Sequence, residues 1–264
     1  MAVAGWRFFF AAALSPRPLL VFVHGWLLSG RLWQPLVQEL EPQWDCWAPD
    51  LPGFGARPRP QQLQPTLASY GRWLGEQAQD QAAGRPLVLI GHSLGGSVAL
   101  HGAAGLGDQL VGLVQVAAGG GLYQPRVFAR VRQAGAAFLS LRPRWLADLP
   151  ALDAIRSPLV AEQRAARGLL ACSTNRGAVR QLPALTAALQ VPSLWLVGSN
   201  DRVMEPRYVS HLAGYAPNHE VDVLQGLGHL PMRQEPALLA ARISAWLLTL
   251  PGSGAWAPAQ PMAA

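Results

Sequence analysis

The stretch Leu87-Val88-Leu89-Ile90-Gly91-His92-Ser93-Leu94-Gly95-Gly96 decides how this chain is read. Its first four residues are apolar without alternation, the pattern of a short strand covered on both faces. Gly91 to Gly95 then spells G-x-S-x-G, and an apolar stretch from about Ser97 reads as a helix. Strand, tight turn and helix together predict a strained serine whose hydroxyl stands clear at the carboxyl edge of a sheet. Glycine is needed at 91 and 95 because the turn is too sharp for flanking side chains. The helix that follows aims its first N–H groups, with their partial positive charge, at the same place.

Outward from this turn, short apolar runs alternate with helical stretches. Leu19 to Val23, Cys46 to Ala48, Leu110 to Ala117, Ser193 to Val197 and Glu220 to Leu224 read as further strands. Leu32 to Leu40, Leu67 to Ala82, Ser97 to Ala104 and Pro236 to Leu248 read as helices. The alternation predicts an α/β fold with a mostly parallel sheet flanked by helices. The expected core is residues 1–121 and 188–251. Residues 122–187 break the rhythm: they hold no strand-like run and read as helices broken at Pro125, Pro143, Pro150, Pro158 and Pro183. They form an expected helical lid inserted at the sheet's carboxyl edge, where ligands bind in such folds, with Gly119-Gly120-Gly121 as the hinge into it.

A serine hydroxyl needs a base, and six histidines are available. His92 adjoins the serine, but its side chain is expected to point away. His101 lies on the following helix, and His211 and His219 sit in polar sequence where solvation is the default. His229 lies in Gln225-Gly226-Leu227-Gly228-His229-Leu230-Pro231, a glycine-rich loop between the last strand and the last helix, from which a base can reach Ser93. Asp201, just past the strand ending at Val197, is the expected carboxylate that orients His229, with Glu205 and Asp222 as fallbacks. The chain order Ser93, Asp201, His229 suits this fold. His24-Gly25-Trp26 ends the first strand, so the backbone N–H groups of Trp26 and Leu94 are the candidate oxyanion donors. His24 reads as a structural hydrogen-bonder beneath that loop. No metal-ligand cluster, phosphate-binding loop or dinucleotide fingerprint competes, so neither metal nor cofactor is expected.

Composition bounds the rest. With 264 residues, 50% apolar and 14% charged, the chain excludes disorder for most of its length. No apolar run reaches the roughly 18–20 residues of a membrane span, so a soluble protein is expected. Two cysteines, Cys46 and Cys172, make no disulfide framework; buried free thiols and a cytoplasmic setting are expected. The apolar stretch at residues 6–14 reads as an edge strand, and 252–264 as a disordered tail. Net charge is +6, and all 21 basic residues are Arg. Ten of them fall in 122–187 against Asp148, Asp153 and Glu162, a net of +7, while the remainder carries eleven Arg and twelve acids. Basic character therefore belongs to one element. With no aromatic-interleaved module beside it, nucleic acid is not an expected partner.

Together Val23-His24-Gly25-Trp26, Asp50-Leu51-Pro52-Gly53-Phe54-Gly55, the Gly91–Gly95 turn, Asp201 and Gly228-His229 resemble the α/β-hydrolase superfamily. Within it the chain is most similar to the biotin-pathway esterases that demethylate pimeloyl-acyl-carrier-protein methyl ester. The segments Glu162-Gln163-Arg164, Leu169 to Thr174 and Val179-Arg180-Gln181 carry that likeness. The resemblance implies a monomeric serine carboxylesterase acting through an acyl-enzyme. It also implies that an acidic acyl carrier protein docks on lid arginines, with Arg164 and Arg180 at two such positions. The likeness has gaps: His92 stands where those esterases commonly have Trp, and Leu169 replaces an aromatic of the lid pocket. A thioesterase or carbon–carbon bond hydrolase would use the same triad, and a non-catalytic ligand-binding protein could retain it. Haloalkane dehalogenase and epoxide hydrolase chemistry is disfavoured, because it needs a carboxylate where Ser93 stands.

Overall fold

Apolar residues on both pleat faces of the strands give the sheet two cores. The computed structural model describes residues 17–119, 125–143 and 156–256. Six strands, β1 (Leu19–Val23), β2 (Asp45–Trp47), β3 (Leu87–His92), β4 (Leu110–Val116), β5 (Ser193–Gly198) and β6 (His219–Leu224), form one sheet. Their order is β2-β1-β3-β4-β5-β6, and every pairing is parallel. Leu19, Val21 and Val23 face one core with Leu87 and Leu89; Leu20 and Phe22 face the other with Val88 and Ile90. The first core is closed by α2 (Leu67–Ala82), α3 (Leu94–Ala103) and α8 (Pro206–Ala213), the second by α1 (Gln34–Leu40) and α10 (Pro236–Leu247).

The strand order reverses between β1 and β3, because β2 adds to one side of β1 and every later strand to the other. At such a switch point the loops leaving two neighbouring strands diverge and open a crevice at their carboxyl ends. Here those loops are His24–Ser29 and the turn at Ser93. The topology alone therefore sets the candidate site where the motifs fall.

Between β4 and β5 the described residues hold four helices: α4 (Pro125–Leu141), α5 (Arg156–Val160), α6 (Gln163–Ser173) and α7 (Arg176–Ala187). Pro158 lies within α5 and Pro183 within α7, so neither breaks a helix as the sequence reading expected. Pro125 opens α4, while Pro150, Gly120 and Gly121 fall outside the described residues. Short α9 (Pro231–Gln234) follows the His229 loop.

Three other expectations change. Helix α3 starts at Leu94 rather than near Ser97, because Gly95 and Gly96 are helical despite their low propensity. The tail is ordered as far as Trp256. A 3-10 turn at Ser253–Ala255 leads into Trp256, only 3% exposed in the second core. A large indole gains enough from burial to hold a stretch whose Gly, Pro and Ala content otherwise suggests disorder. Cys46 and Cys172 are free but half-buried, not buried. The expected edge strand at residues 6–14 lies outside the described residues. Among those residues no helix is long and apolar enough to cross a membrane.

Candidate active site

Ser93 adopts φ 53° and ψ −120°, a conformation that L-residues avoid and that surrounding structure must impose. Its N–H is held by the Val116 carbonyl of β4 at 3.1 Å. Glycine at 91 and 95 is a steric requirement: a Cβ on Gly91 would lie 2.5 Å from Gly96 Cα, and one on Gly95 only 2.2 Å from the Val23 carbonyl oxygen. The second contact is informative, since it brings the first turn of α3 against the end of β1. Leu94 and the loop after Val23 are thereby made neighbours, and Gly25, Trp26, Ser93 and Leu94 all line one cavity of about 420 Å³. Among the described residues, the Trp26 and Leu94 N–H groups have no backbone acceptor.

His229 closes the constellation. Its Nε2 accepts from the Ser93 hydroxyl at 3.2 Å, and its Nδ1–H donates to Asp201 Oδ2 at 2.8 Å. The other carboxylate oxygen, Oδ1, accepts from the N–H groups of Val203 at 2.8 Å and Met204 at 2.9 Å. Burial alone would raise the Asp201 carboxyl, but the bond from His229, its positive charge when protonated, and the two amides together hold it below the usual carboxylate value. Asp201 is 2% exposed. A buried carboxylate with three donors is a fixed acceptor, and it leaves Nε2 of His229 free to accept a proton.

The structure brings together Ser93, Asp201 and His229, all expected from sequence, with Trp26 and Leu94 beside them. The fallback acids are elsewhere: Asp222 pairs with Arg242 and Glu205 with Arg207. His24 has the structural role expected, its Nε2 accepting from the Leu51 N–H and its Nδ1–H donating to the Gly25 carbonyl. Asp50, in the resemblance motif, accepts from Gly30 and Ala56 N–H groups and so joins two loops beneath the site.

One assignment needs correction. Leu169 is fully buried in the first core and does not line the cavity; its neighbour Leu170 does. Successive helical residues point about 100° apart, so one position decides which leucine meets a ligand. Arg164 and Arg180 are exposed on α6 and α7, away from the cavity wall. Arg142 is 7% exposed, and its guanidinium holds the carbonyls of Pro158 and Ala161, so one of the ten arginines is a structural staple. His92 turns toward the base: its Nε2–H donates to the His229 carbonyl at 2.9 Å.

Several positioning contacts escaped the sequence reading. Gly198, at the end of β5, lies where a Cβ would be 2.2 Å from the Leu227 carbonyl oxygen. Asn200 donates through its N–H to Leu227 and through its side chain to the Gly226 carbonyl, and the Gly226 N–H returns to Ser199 Oγ. The loops of acid and base are stitched together by residues that carry no catalytic type. Gly-Ser-Asn after a strand was the available signal, since Ser and Asn commonly bond nearby backbone.

Residues 20–242 match the alpha/beta hydrolase family. The chain belongs to that family. This hydrolase is 31% identical to a pimeloyl-acyl-carrier protein methyl ester esterase of Stenotrophomonas maltophilia, over 88% of this chain and 94% of that protein. It is 29% identical to the protein of the same name from Xylella fastidiosa, over 89% and 96%. Among solved structures it superposes on MenH from S. aureus with a TM-score of 0.69 at 20% identity, over 87% of this chain and 93% of that one, a likeness of fold.

Proposed function

We propose that this hydrolase is a serine carboxylesterase, and that its substrate is the methyl ester of an acyl chain carried on an acyl carrier protein, as in the names of its relatives. The observation that carries the chemistry is the continuous relay from the Ser93 hydroxyl through His229 to Asp201. Ser93 Oγ attacks the ester carbonyl carbon while His229 Nε2 takes the hydroxyl proton. The carbonyl π pair moves to oxygen, and that oxyanion is received by the Trp26 and Leu94 N–H groups, each donor contributing about 3 kcal/mol. Collapse expels the alcohol, protonated by His229, and leaves Ser93 acylated. Water then attacks the acyl carbon with His229 again as base, releasing the acid and restoring Ser93. The cycle consumes one water.

The helices between β4 and β5 serve as a lid in this reading. Val131, Leu170 and Leu182 from them line the cavity, an apolar wall suited to an alkyl chain. Their exposed arginines, Arg164 and Arg180 among them, offer positive charge to an acidic carrier. Covalent labelling by a fluorophosphonate and hydrolysis of short aryl esters test the chemistry: both are expected in the parent and absent from Ser93→Ala, and failure of Ser93-dependent labelling would defeat it. Rescue of a biotin-requiring strain that lacks its own esterase tests the substrate. Arg164→Glu with Arg180→Glu should weaken turnover of carrier-linked esters much more than of free esters; equal effects would remove the docking role.

A further inference from the structure

Trp26 offers its backbone amide to the site, yet its side chain is gripped by two inserted helices. The indole Nε1–H donates to the Ala166 carbonyl of α6 at 2.9 Å. Against the six-membered ring stands Gly135 of α4, where a Cβ would lie 2.6 Å from Trp26 Cη2, 3.2 Å from its Cζ3 and 2.8 Å from Leu170 Cδ2. Gly135 lies inside a helix, where glycine is disfavoured, and its φ is not in the left-handed region. What the position requires is space, and the indole takes that space.

The backbone being held is itself strained. Leu28 N–H bonds back to the Gly25 carbonyl at 3.2 Å, closing a turn whose central residues are Trp26 and Leu27. Leu27 sits at φ 59°, a left-handed conformation with no glycine to relieve it. Such a turn keeps its shape only if neighbours impose it. From the core, Asp50 holds Gly30 N–H at 2.7 Å. From the inserted helices come two further ties: Ser157 Oγ to Ser29 Oγ at 2.9 Å, and the indole bond to Ala166.

We infer that the slot formed by Gly135, Ala166 and Leu170 sets the oxyanion donor of Trp26, so that the inserted helices complete the catalytic site as well as cover it. Gly135 and Ala166 are positioning residues acting through the indole. The inference rests on the esterase reading, and it adds that transition-state stabilisation depends on a glycine of α4 that touches no substrate atom. A displaced amide loses little substrate binding, because the ground-state carbonyl barely uses it, but loses charge stabilisation when the oxyanion forms.

The test is a double-mutant cycle on ester turnover with Gly135→Ala, Trp26→Phe and their combination, with thermal unfolding of each recorded. Gly135→Ala should lower kcat about tenfold with KM within about twofold, since small displacements at a reacting centre act at this scale. Trp26→Phe, which loses the N–H donor and the outer ring, should lower kcat about fivefold. In the Trp26→Phe background the added methyl meets a shorter ring, so Gly135→Ala should then cost less than about twofold. Effects that multiply, or that fall on KM, overturn the inference while leaving Ser93-dependent hydrolysis intact. Absence of Ser93-dependent turnover in the parent would instead defeat the esterase reading, and this inference with it. Should Gly135→Ala fail to fold, Trp26→Phe decides alone: an unchanged kcat overturns the proposal.

Discussion

His92 Nε2–H donates to the backbone carbonyl of His229 at 2.9 Å, and the two rings lie 4.9 Å apart between centroids. The residue before the serine thus holds the backbone of the base. His92 is 1% exposed, and burial, reinforced by the neighbouring His229, lowers its pKa to about 3, so it is a neutral donor at any working pH. His92→Leu should leave a part-buried carbonyl unpaired, costing about 1 kcal/mol of stability and lowering kcat about tenfold as His229 shifts. His92→Gln, which keeps an N–H donor, should recover most of the loss. Urea unfolding and ester kinetics on the pair decide the point; equal losses in both variants would show that the bond is not what matters.

Asp201→Asn separates charge from geometry. The amide oxygen can still accept from the Val203 and Met204 N–H groups, so the turn should persist and the melting temperature should fall by only a few degrees. The amide NH₂ would then face His229 Nδ1 and favour the tautomer with hydrogen on Nε2. That nitrogen could no longer accept from Ser93. Activity should drop by about 10⁴ while the fold survives. A loss below about tenfold, measured on the same ester, would contradict the assignment of Asp201.

The fold and the reacting groups were legible because their physics is local. β3 announces itself through four apolar residues, and Ser93 through the glycines that its turn demands. Asp201 and His229 could be chosen because each follows a strand that the topology brings beside the serine. Leu169 against Leu170 was not legible, since helical phase relative to a cavity depends on how α6 docks. Trp256 was not legible, because the Gly, Pro and Ala around it signal disorder while burial of one large ring decides the packing. Contacts such as His92 to His229 or Asn200 to Leu227 span 137 and 27 positions and involve carbonyl groups that every residue owns. Nothing in side-chain type marks them.

Gly198→Ala tests the close approach between the acid's strand and the base's loop. The added Cβ would stand 2.2 Å from one backbone carbonyl oxygen, Leu227, and 2.5 Å from another, Gly228. Neither can swing aside like a flexible side chain, so the His229 loop must retreat. A loss of about 3 kcal/mol is expected, together with most of the activity. Gly84→Ala is the comparison: φ there is +85° with nothing within 4 Å, so strain alone should cost about 1 kcal/mol without touching catalysis. Denaturant midpoints and kcat for the two variants should therefore diverge.

Acid should destabilise the protein through its buried imidazoles before Asp201 titrates. Burial lowers His24 from 6.5 to about 4 and His92 from 6.5 to about 3, and half-buried His101 shifts in the same direction. Above pH 6.5 these histidines are neutral folded or unfolded, and pH has no leverage through them. Between pH 6.5 and about 4 the unfolded chain binds protons on His24 and His92 that the native fold refuses. Stability then falls as pH falls, by up to about 1.4 kcal/mol per pH unit for each histidine. Asp201, whose folded value lies below its ordinary 3.8, adds its own loss only at lower pH. Urea midpoints should thus change little from pH 7.5 to 6.5 and decline from there to pH 5 in the parent. His24→Gln should start less stable at pH 7.5, having lost the buried imidazole, but should decline less steeply because one proton has left the linkage. Parallel slopes in parent and variant would mean that His24 titrates alike in both states, and its buried, neutral role beneath the Trp26 turn would have to be abandoned.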